Sequence, residues 1–177
     1  FIACRLSKEK GILDLPEILG RAKKRIPKLR IVVAGSGPAQ EQLKQILPDA
    51  VFLGWQNKKQ LTALYLGLDL FVFPSRFDTF GNVILEAFVH GMPTVAFNCK
   101  GPKDIIQHDK NGYLVDDIAG MSSKIIEYFV HPNIQHNMQK NALQRASEYQ
   151  AEPIMQQFLQ DMGLELPIMY NNQRTVA

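Results

Sequence analysis

The sequence predicts an α/β fold, a doubly wound parallel sheet of the Rossmann-like kind with helices on both of its faces. Two features predict it. The short apolar runs are nearly continuous rather than alternating, as in strands that are buried on both faces. Amphipathic stretches with helical spacing separate these runs almost to the end of the chain. In such sheets ligands bind at the carboxyl ends of the strands, so the loops that follow strands form the candidate site.

The first half of the chain is predicted to alternate between strands and helices. The strands are the apolar runs FIAC, LRIVVAG and AVFLG, at residues 1–4, 29–35 and 50–54. Apolar residues recur at helical spacing at residues 11–26, 39–47 and 58–68. Pro16 lies near the first turn of the earliest helix, where a missing backbone N–H costs little. This alternation is typical of right-handed strand–helix–strand units.

The second half continues the alternation and ends in helices. Its predicted strands are LFVFP, PTVAF and GYLV, at residues 70–74, 93–97 and 112–115. Helices are predicted at residues 81–91, 119–131, 133–149 and 151–163, with a helical turn at 101–107. We therefore expect one domain over residues 1–163. The tail at 164–177 lacks periodicity, and we expect it to be loosely ordered.

Composition excludes several classes of function. A hydrophobic fraction of 46% and a charged fraction of 21% are those of an ordinary globular domain. The net charge of +3 is too small to indicate a nucleic-acid partner. No apolar run approaches the roughly 20 residues of a membrane helix. Cys4 and Cys99 lie in or beside strand runs, so we expect buried thiols rather than a disulfide, and no spacing of Cys or His predicts a metal site.

The loop after the first strand, CRLSKEKGI, carries two cations. Arg5 and Lys10 follow the first strand, and Gly11 opens the predicted helix. Arginine can bind phosphate oxygens in pairs and lysine acts as a point charge, so this loop is suited to a diphosphate. The alternative is a solvated basic loop.

The loop after the second strand, GSGPAQ, contains Gly35 and Gly37, which allow close approach of the backbone to a ligand. The dinucleotide fingerprint G-x-G-x-x-G would need glycine where Gln40 stands, so nicotinamide and flavin cofactors are disfavoured. The alternative is a tight turn without a ligand. After the third strand, Leu53 and Trp55 could lie beside a base, or Trp55 could pack at the sheet edge.

The loop after the fourth strand lies in the segment FPSRFDTFGNVILEAFVHGMP and has the richest chemistry. A helix that begins near Gly81 points its free N–H groups at an anion above the strand. Asn82 and Val83 supply first-turn amides, and Glu86 lies one turn farther into the helix, where a carboxylate can accept two ribose hydroxyls. Asp78 could accept hydrogen bonds from hydroxyls on the other side of the phosphates. The alternative is that Asp78 caps the helix and Glu86 only interacts with its dipole.

Five motifs, in this order, resemble the C-terminal, donor-binding domain of GT-B glycosyltransferases, and most closely the retaining family 4. They are RLSKEKG, AGSGP, FLGW, PSRFDTFGNVILEAFVHGMPTVAF and NGYLV, spread over about residues 1–150. The family's signature is a pair of acidic residues with seven residues between them, here Asp78 and Glu86. The first is usually glutamate, so Asp78 is a shorter variant.

The resemblance implies a role for each candidate residue. Arg5 and Lys10 would bind the diphosphate of a nucleotide-sugar donor, and Glu86 would hold the ribose. Asp78 would face the donor sugar, in a pocket shaped by Phe80 and Gly81. The amides of Asn82 and Val83 would cap the diphosphate, and Leu53 and Trp55 would lie beside the base. The reaction would be hexosyl transfer with retention and without a metal or other cofactor.

The resemblance also implies partners. A GT-B enzyme has two such domains, and the chain opens directly inside an apolar run, so we expect an excised half that binds donor without turnover. The N-terminal acceptor domain would precede it. We expect a cytoplasmic enzyme that contacts the inner face of a membrane peripherally. A non-catalytic nucleotide-sugar binding module is the main alternative, whereas a GT-B epimerase lacks this acidic pair.

Overall fold

The computed structural model describes residues 1–149, and these residues form the expected α/β architecture. The parallel strands are β1 (Ile2–Ala3), β2 (Val32–Ala34), β3 (Val51–Gly54), β4 (Phe71–Phe73), β5 (Thr94–Phe97) and β6 (Gly112–Val115). Each lies within a predicted run, so the strand predictions are confirmed.

The helices also follow the predicted order. They are α1 (Leu15–Arg25), α2 (Gln40–Ile46), α3 (Lys58–Gly67), α4 (Asn82–Val89), α5 (Pro102–Ile105), α6 (Ile118–Val130) and α7 (Pro132–Ser147). Two short 3-10 turns, Lys8–Lys10 and Ile12–Asp14, precede α1. The prediction of a helix from residue 11 was therefore wrong at its start, because Gly11 has a left-handed φ of 67° that no α-helix accommodates. The predicted helix at 151–163 and the tail at 164–177 lie outside the described residues.

The strand order is that of a Rossmann fold. Hydrogen-bonded pairs give the orders β1-β2-β3 and β4-β5-β6, all parallel. Phe1 joins the two sets, because its N donates to the Leu70 carbonyl at 2.7 Å and its carbonyl accepts from Val72 N at 2.8 Å. The full order is β3-β2-β1-β4-β5-β6, and the direction of winding reverses between β1 and β4. This switch point is where such sheets bind ligands.

Two apolar clusters cover the two faces of the sheet. Alternate residues of one strand enter different clusters: Ile2 packs on the side of α1 and α6, and Ala3 packs on the side of α4. Val72 and Phe71 divide in the same way in β4. A sheet buried on both faces explains the near-continuous apolar runs. Neither Cys4 nor Cys99 forms a disulfide, and each is partly buried.

Candidate functional site

A cleft of about 520 Å³ opens at the carboxyl ends of β1, β2 and β3, beside α3 and α4. Of the candidate residues, it is lined by Arg5, Gly35, Gly37, Trp55, Val83 and Glu86. These residues come from four separate loops or helices. The structure therefore brings together, at the switch point, side chains that the sequence could only place at strand ends.

A second pocket, of about 600 Å³, lies along the loop that follows β4. Its lining includes Lys10 and Asp78, together with Arg76, Phe77 and Lys100. The acidic pair is thus divided, since Glu86 faces the cleft and Asp78 faces this pocket. Such a division is expected if the two carboxylates act on different parts of one extended ligand.

Asp78 is bound at both carboxylate oxygens. Its Oδ1 accepts from the backbone N–H groups of Phe80 at 3.2 Å and Gly81 at 2.8 Å, and its Oδ2 accepts from Lys10 Nζ at 3.1 Å. Burial acts to raise the pKa of Asp78, but these hydrogen bonds outweigh it and hold the pKa below its usual range. These two donors precede α4, whose N-cap Gly81 has no side-chain capping bond, so Asp78 orders the turn before the helix and does not cap the helix itself.

Gly11 makes the contact between Lys10 and Asp78 possible. A Cβ at Gly11 would lie 2.0 Å from the carbonyl oxygen of Pro74, and its φ of +67° disfavours any other residue. The loop after β1 can therefore pack directly on the end of β4. This close approach places Lys10 beside Asp78.

Glu86 is exposed and is the fifth residue of α4, beyond the first turn, which holds no acidic residue. The helix dipole acts within that first turn, so the dipole alternative has little support. Its Oε2 accepts from the Tyr65 hydroxyl at 3.4 Å. Burial, and after it the charge of Glu86, raises the pKa of Tyr65 well above its usual value, so the phenol stays a neutral donor.

The two glycines after β2 are required by contacts within the protein. A Cβ at Gly35 would lie 1.9 Å from the Cys4 carbonyl oxygen, and one at Gly37 would lie 2.4 Å from that of Leu6. The Leu6 N–H also donates to the Ser36 carbonyl at 3.0 Å. The tight-turn interpretation therefore accounts for both glycines. Their turn nevertheless forms one wall of the cleft and braces the loop that carries Arg5.

Of the remaining candidates, Trp55 lines the cleft, whereas Leu53 and Phe80 are not among the residues that line either pocket. Trp55 is 74% exposed, so it does not pack at the sheet edge. The Gln56 side chain donates to the carbonyls of Leu53 at 2.8 Å and Trp55 at 3.1 Å, which fixes the backbone of this loop. Phe80 is 44% exposed, and its ring packs edge-on against Tyr149. Within the described part of the chain, Arg5 makes no ion pair.

The start of α4 has the expected geometry. Gly81 is the N-cap residue, with a left-handed φ of 90°. The amides of Asn82 and Val83 follow it in the first turn, where no intrahelical acceptor exists. Among residues 1–149, no three His, Cys, Asp or Glu side chains come together as metal ligands. No helix of that range is long and apolar enough to cross a membrane.

Sequence reasoning missed several residues that line the cleft. Tyr65 and Leu61 lie on α3, and Gln56 and Cys4 lie on the strand-end loops. Gln56 directly follows the candidate Trp55, so its position was a usable signal. Tyr65 looked like an ordinary apolar position of an amphipathic helix, and only the packing of α3 against α4 places its hydroxyl at Glu86.

A family model described as glycosyl transferases, group 1, matches residues 1–145. A GDP-mannose-dependent alpha-mannosyltransferase of Corynebacterium glutamicum is 38% identical over 112 residues, which are 63% of this chain and 26% of that protein. An uncharacterised glycosyltransferase of Methanocaldococcus jannaschii is 33% identical over 159 residues, or 81% of this chain and 40% of that one. The chain thus spans less than half of either relative.

Solved structures share the fold. The pneumococcal O-GlcNAc transferase GtfA, in complex with UDP and GlcNAc, superposes with a TM-score of 0.80 at 23% identity, covering 92% of this chain and 34% of that one. Anabaena HepE in complex with UDP superposes with a TM-score of 0.77 at 25% identity, covering 92% of this chain and 48% of that one. The C-terminal domain of a group 1 glycosyl transferase from Francisella tularensis superposes with a TM-score of 0.74 at 22% identity. The match covers 84% of this chain and 83% of that one.

Proposed function

The chain belongs to the group 1 glycosyl transferases, and we propose that it is the donor-binding half of a retaining, family 4 enzyme of the GT-B fold. The observation that carries this proposal is the cleft at the switch point, where Arg5 and Glu86 face one space of about 520 Å³. A cation and a carboxylate that line the same cleft fit a ligand that carries both phosphates and hydroxyls.

The nucleotide occupies the cleft. Glu86 accepts hydrogen bonds from the ribose hydroxyls, and the base lies beside Leu53 and the exposed Trp55. Arg5 binds the diphosphate together with the first-turn amides of α4, whose free N–H groups favour an anion. Lys10 stabilises the diphosphate from the neighbouring pocket, where its Nζ is already held by Asp78.

The donor sugar extends from the cleft toward Asp78, in a pocket shaped by Phe80 and Gly81. In the transfer step, the bond from the anomeric carbon to the diphosphate oxygen breaks and the diphosphate leaves with the electron pair. The acceptor hydroxyl bonds to the same face of the anomeric carbon and passes its proton to the departing diphosphate oxygen. Arg5, Lys10 and the start of α4 stabilise the developing negative charge without a metal.

The names of the relatives point to more than one nucleotide. The Corynebacterium relative is named for GDP-mannose, whereas the GtfA and HepE structures contain UDP. The three nucleoside diphosphates UDP, GDP and ADP are therefore all needed as probes.

The rest of the enzyme binds the acceptor. We propose that a second domain of the longer protein faces the strand ends, where Trp55 and Phe77 are 74% and 82% exposed. This chain alone would then bind donor without transferring sugar. A cytoplasmic location, with peripheral contact to the inner face of a membrane, fits the mild basic excess of +3.

Calorimetric titration of the chain with UDP, GDP and ADP tests the proposal. We expect selective binding of one nucleotide, unaffected by EDTA and markedly weakened in Glu86→Ala and Arg5→Ala. Glu41→Ala and Arg21→Ala are matched controls, because both residues form ion pairs on helices outside the cleft. A folded chain that binds none of the three, or binds equally well without Glu86 and Arg5, contradicts the proposal.

A further inference from the structure

Tyr65 is nearly buried, with 3% of its surface exposed, yet its hydroxyl lies at the wall of the cleft. Its partner there is Glu86 Oε2, at 3.4 Å. Within residues 1–149 the Tyr65 hydroxyl has no other hydrogen-bond partner. A buried hydroxyl that loses its partner destabilises the fold, so the structure favours the rotamer of Glu86 that keeps this contact.

The Tyr65 ring is fixed from several sides. His90 stacks on it, with ring centroids 5.5 Å apart and planes inclined by 16°. Phe1 and Phe71 meet it edge-on, at 5.5 Å and 6.0 Å. A ring held in this way cannot follow a moving carboxylate. The hydroxyl is therefore a fixed point and Glu86 adjusts to it.

His90 ties the same helix to this arrangement. It lies four residues after Glu86, at the C-cap of α4, and its Nδ1 is 2.7 Å from the Glu86 carbonyl oxygen. Glu86 and His90 thus bracket Tyr65, one at its hydroxyl and the other on its ring face. This bracket joins α3 to α4 at the position where the ribose is proposed to bind.

We propose that Tyr65 is a positioning residue for donor binding: its hydroxyl holds one carboxylate oxygen of Glu86 so that the other oxygen faces the ribose hydroxyls. The inference rests on the proposed function, and it concerns a residue that makes no direct contact with the reacting atoms. The distance of 3.4 Å is long for a hydroxyl donor. Such contacts in ligand-free sites shorten when the ligand binds.

Positioning matters here because Glu86 is on an exposed helix surface. A glutamate side chain in solvent populates many rotamers, and binding would have to fix one of them at the expense of affinity. The Tyr65 hydroxyl removes part of that cost before the ligand arrives. Its contribution should therefore be seen only with ligands that use Glu86.

The test compares Tyr65→Phe with the wild-type chain, because the substitution removes the hydroxyl and keeps the ring. UDP, GDP and ADP are titrated by calorimetry alongside their 2′,3′-dideoxy forms. We expect the affinity for the bound ribonucleotide to fall about three- to tenfold, the effect of one net hydrogen bond, and that for its dideoxy form to stay unchanged. Tyr128→Phe is the control, since that buried hydroxyl donates to the Asp69 carbonyl at 2.8 Å, away from the cleft.

A double-mutant cycle with Glu86→Ala, which leaves no side-chain acceptor for the Tyr65 hydroxyl, adds a readout that a purely structural role would not move. If Tyr65 acts through Glu86, then Tyr65→Phe should have no further effect on nucleotide affinity in the Glu86→Ala background. Equal losses for ribose and dideoxyribose ligands, additive losses in the cycle, or no loss at all would each overturn the inference while leaving the proposed function intact. A folded wild-type chain that binds no nucleotide would overturn both.

Discussion

Lys10 and Asp78 are 68 positions apart in the sequence, yet Nζ of Lys10 lies 3.1 Å from Oδ2 of Asp78. The first residue belongs to the loop after β1 and the second to the loop after β4. These strands are neighbours only because the sheet reverses its winding between them. The ion pair therefore bridges the switch point and holds both groups beside the proposed diphosphate position.

Lys10→Ala should weaken binding of the nucleoside diphosphate by about ten- to a hundredfold, because a hydrogen bond to a charged group contributes roughly 1.5–3 kcal/mol. The affinity for the free nucleoside should change little, since it has no phosphate. Calorimetry with both ligands measures the difference. Lys23→Ala is the control, because Lys23 forms an ion pair with Asp49 on another surface. Equal losses for nucleoside and diphosphate would contradict the assignment.

Asp78→Ala should lower the free energy of unfolding by about 1–2 kcal/mol, because the hydrogen bonds to the turn before α4 and the ion pair with Lys10 are lost. Asp78→Asn should cost less, because its side-chain oxygen can still accept from Phe80 and Gly81. Asp117→Ala is a useful comparison, since Asp117 caps α6 by accepting from the Gly120 amide. This substitution should reduce stability without affecting nucleotide binding. Urea unfolding measures all three. An Asp78→Ala variant of wild-type stability would show that these side-chain bonds contribute nothing to stability.

At acidic pH, the wild-type chain should lose its stability advantage over the Asp78→Asn variant. The Asp78 pKa is lowered in the folded state from its ordinary value of 3.8, since its hydrogen bonds outweigh its burial. The ionised form thus contributes stability that is fully present above the unfolded pKa and is lost as the pH falls through the folded one. Urea unfolding of wild type and Asp78→Asn, from about pH 6 to about pH 2, should give a gap that closes below the ordinary pKa. A difference in unfolding free energy that does not change with pH would contradict a stabilising role for the ionised Asp78 carboxylate.

Gly11→Ala should destabilise the fold and weaken nucleotide binding, because its Cβ would lie 2.0 Å from Pro74 O at a φ of +67°. We expect a loss of about 1–3 kcal/mol, the range for a strained backbone position. Gly20→Ala is the matched control. Gly20 lies within α1 with nothing within 4 Å of an added Cβ, so alanine there should stabilise by up to about 1 kcal/mol. Thermal unfolding and calorimetry of both variants separate the two effects, and a Gly11→Ala variant with wild-type stability would refute the close approach.

The sequence was sufficient for the fold because its signals are local. Apolar runs, helical periodicity and end-capping glycines depend on near neighbours, and they predicted every described strand. The start of α1 differed because Gly11 responds to Pro74, a residue far along the chain. Loop positions after strands could be predicted in the same way, so Arg5 and Glu86 were found before their mutual position was known.

Contacts between distant segments could not be predicted. Asp78 had two interpretations in the sequence, helix cap or ligand contact, whereas the structure bonds one of its oxygens to the turn before α4 and the other to Lys10. Tyr65 gave no functional signal, since an aromatic residue on an amphipathic helix is usually part of the core. Its role depends on the packing of α3 against α4, which periodicity does not determine.

A crystal structure of the chain with its preferred nucleoside diphosphate tests the central claim most directly. We predict ribose hydroxyls within hydrogen-bond distance of Glu86 and diphosphate oxygens at Arg5 and the Asn82 and Val83 amides. The nucleotide would then fill the cleft between the loops after β1 and β2. A nucleotide bound elsewhere, such as the pocket lined by Asp109, Glu127 and Asn137, with the cleft empty, would contradict the account.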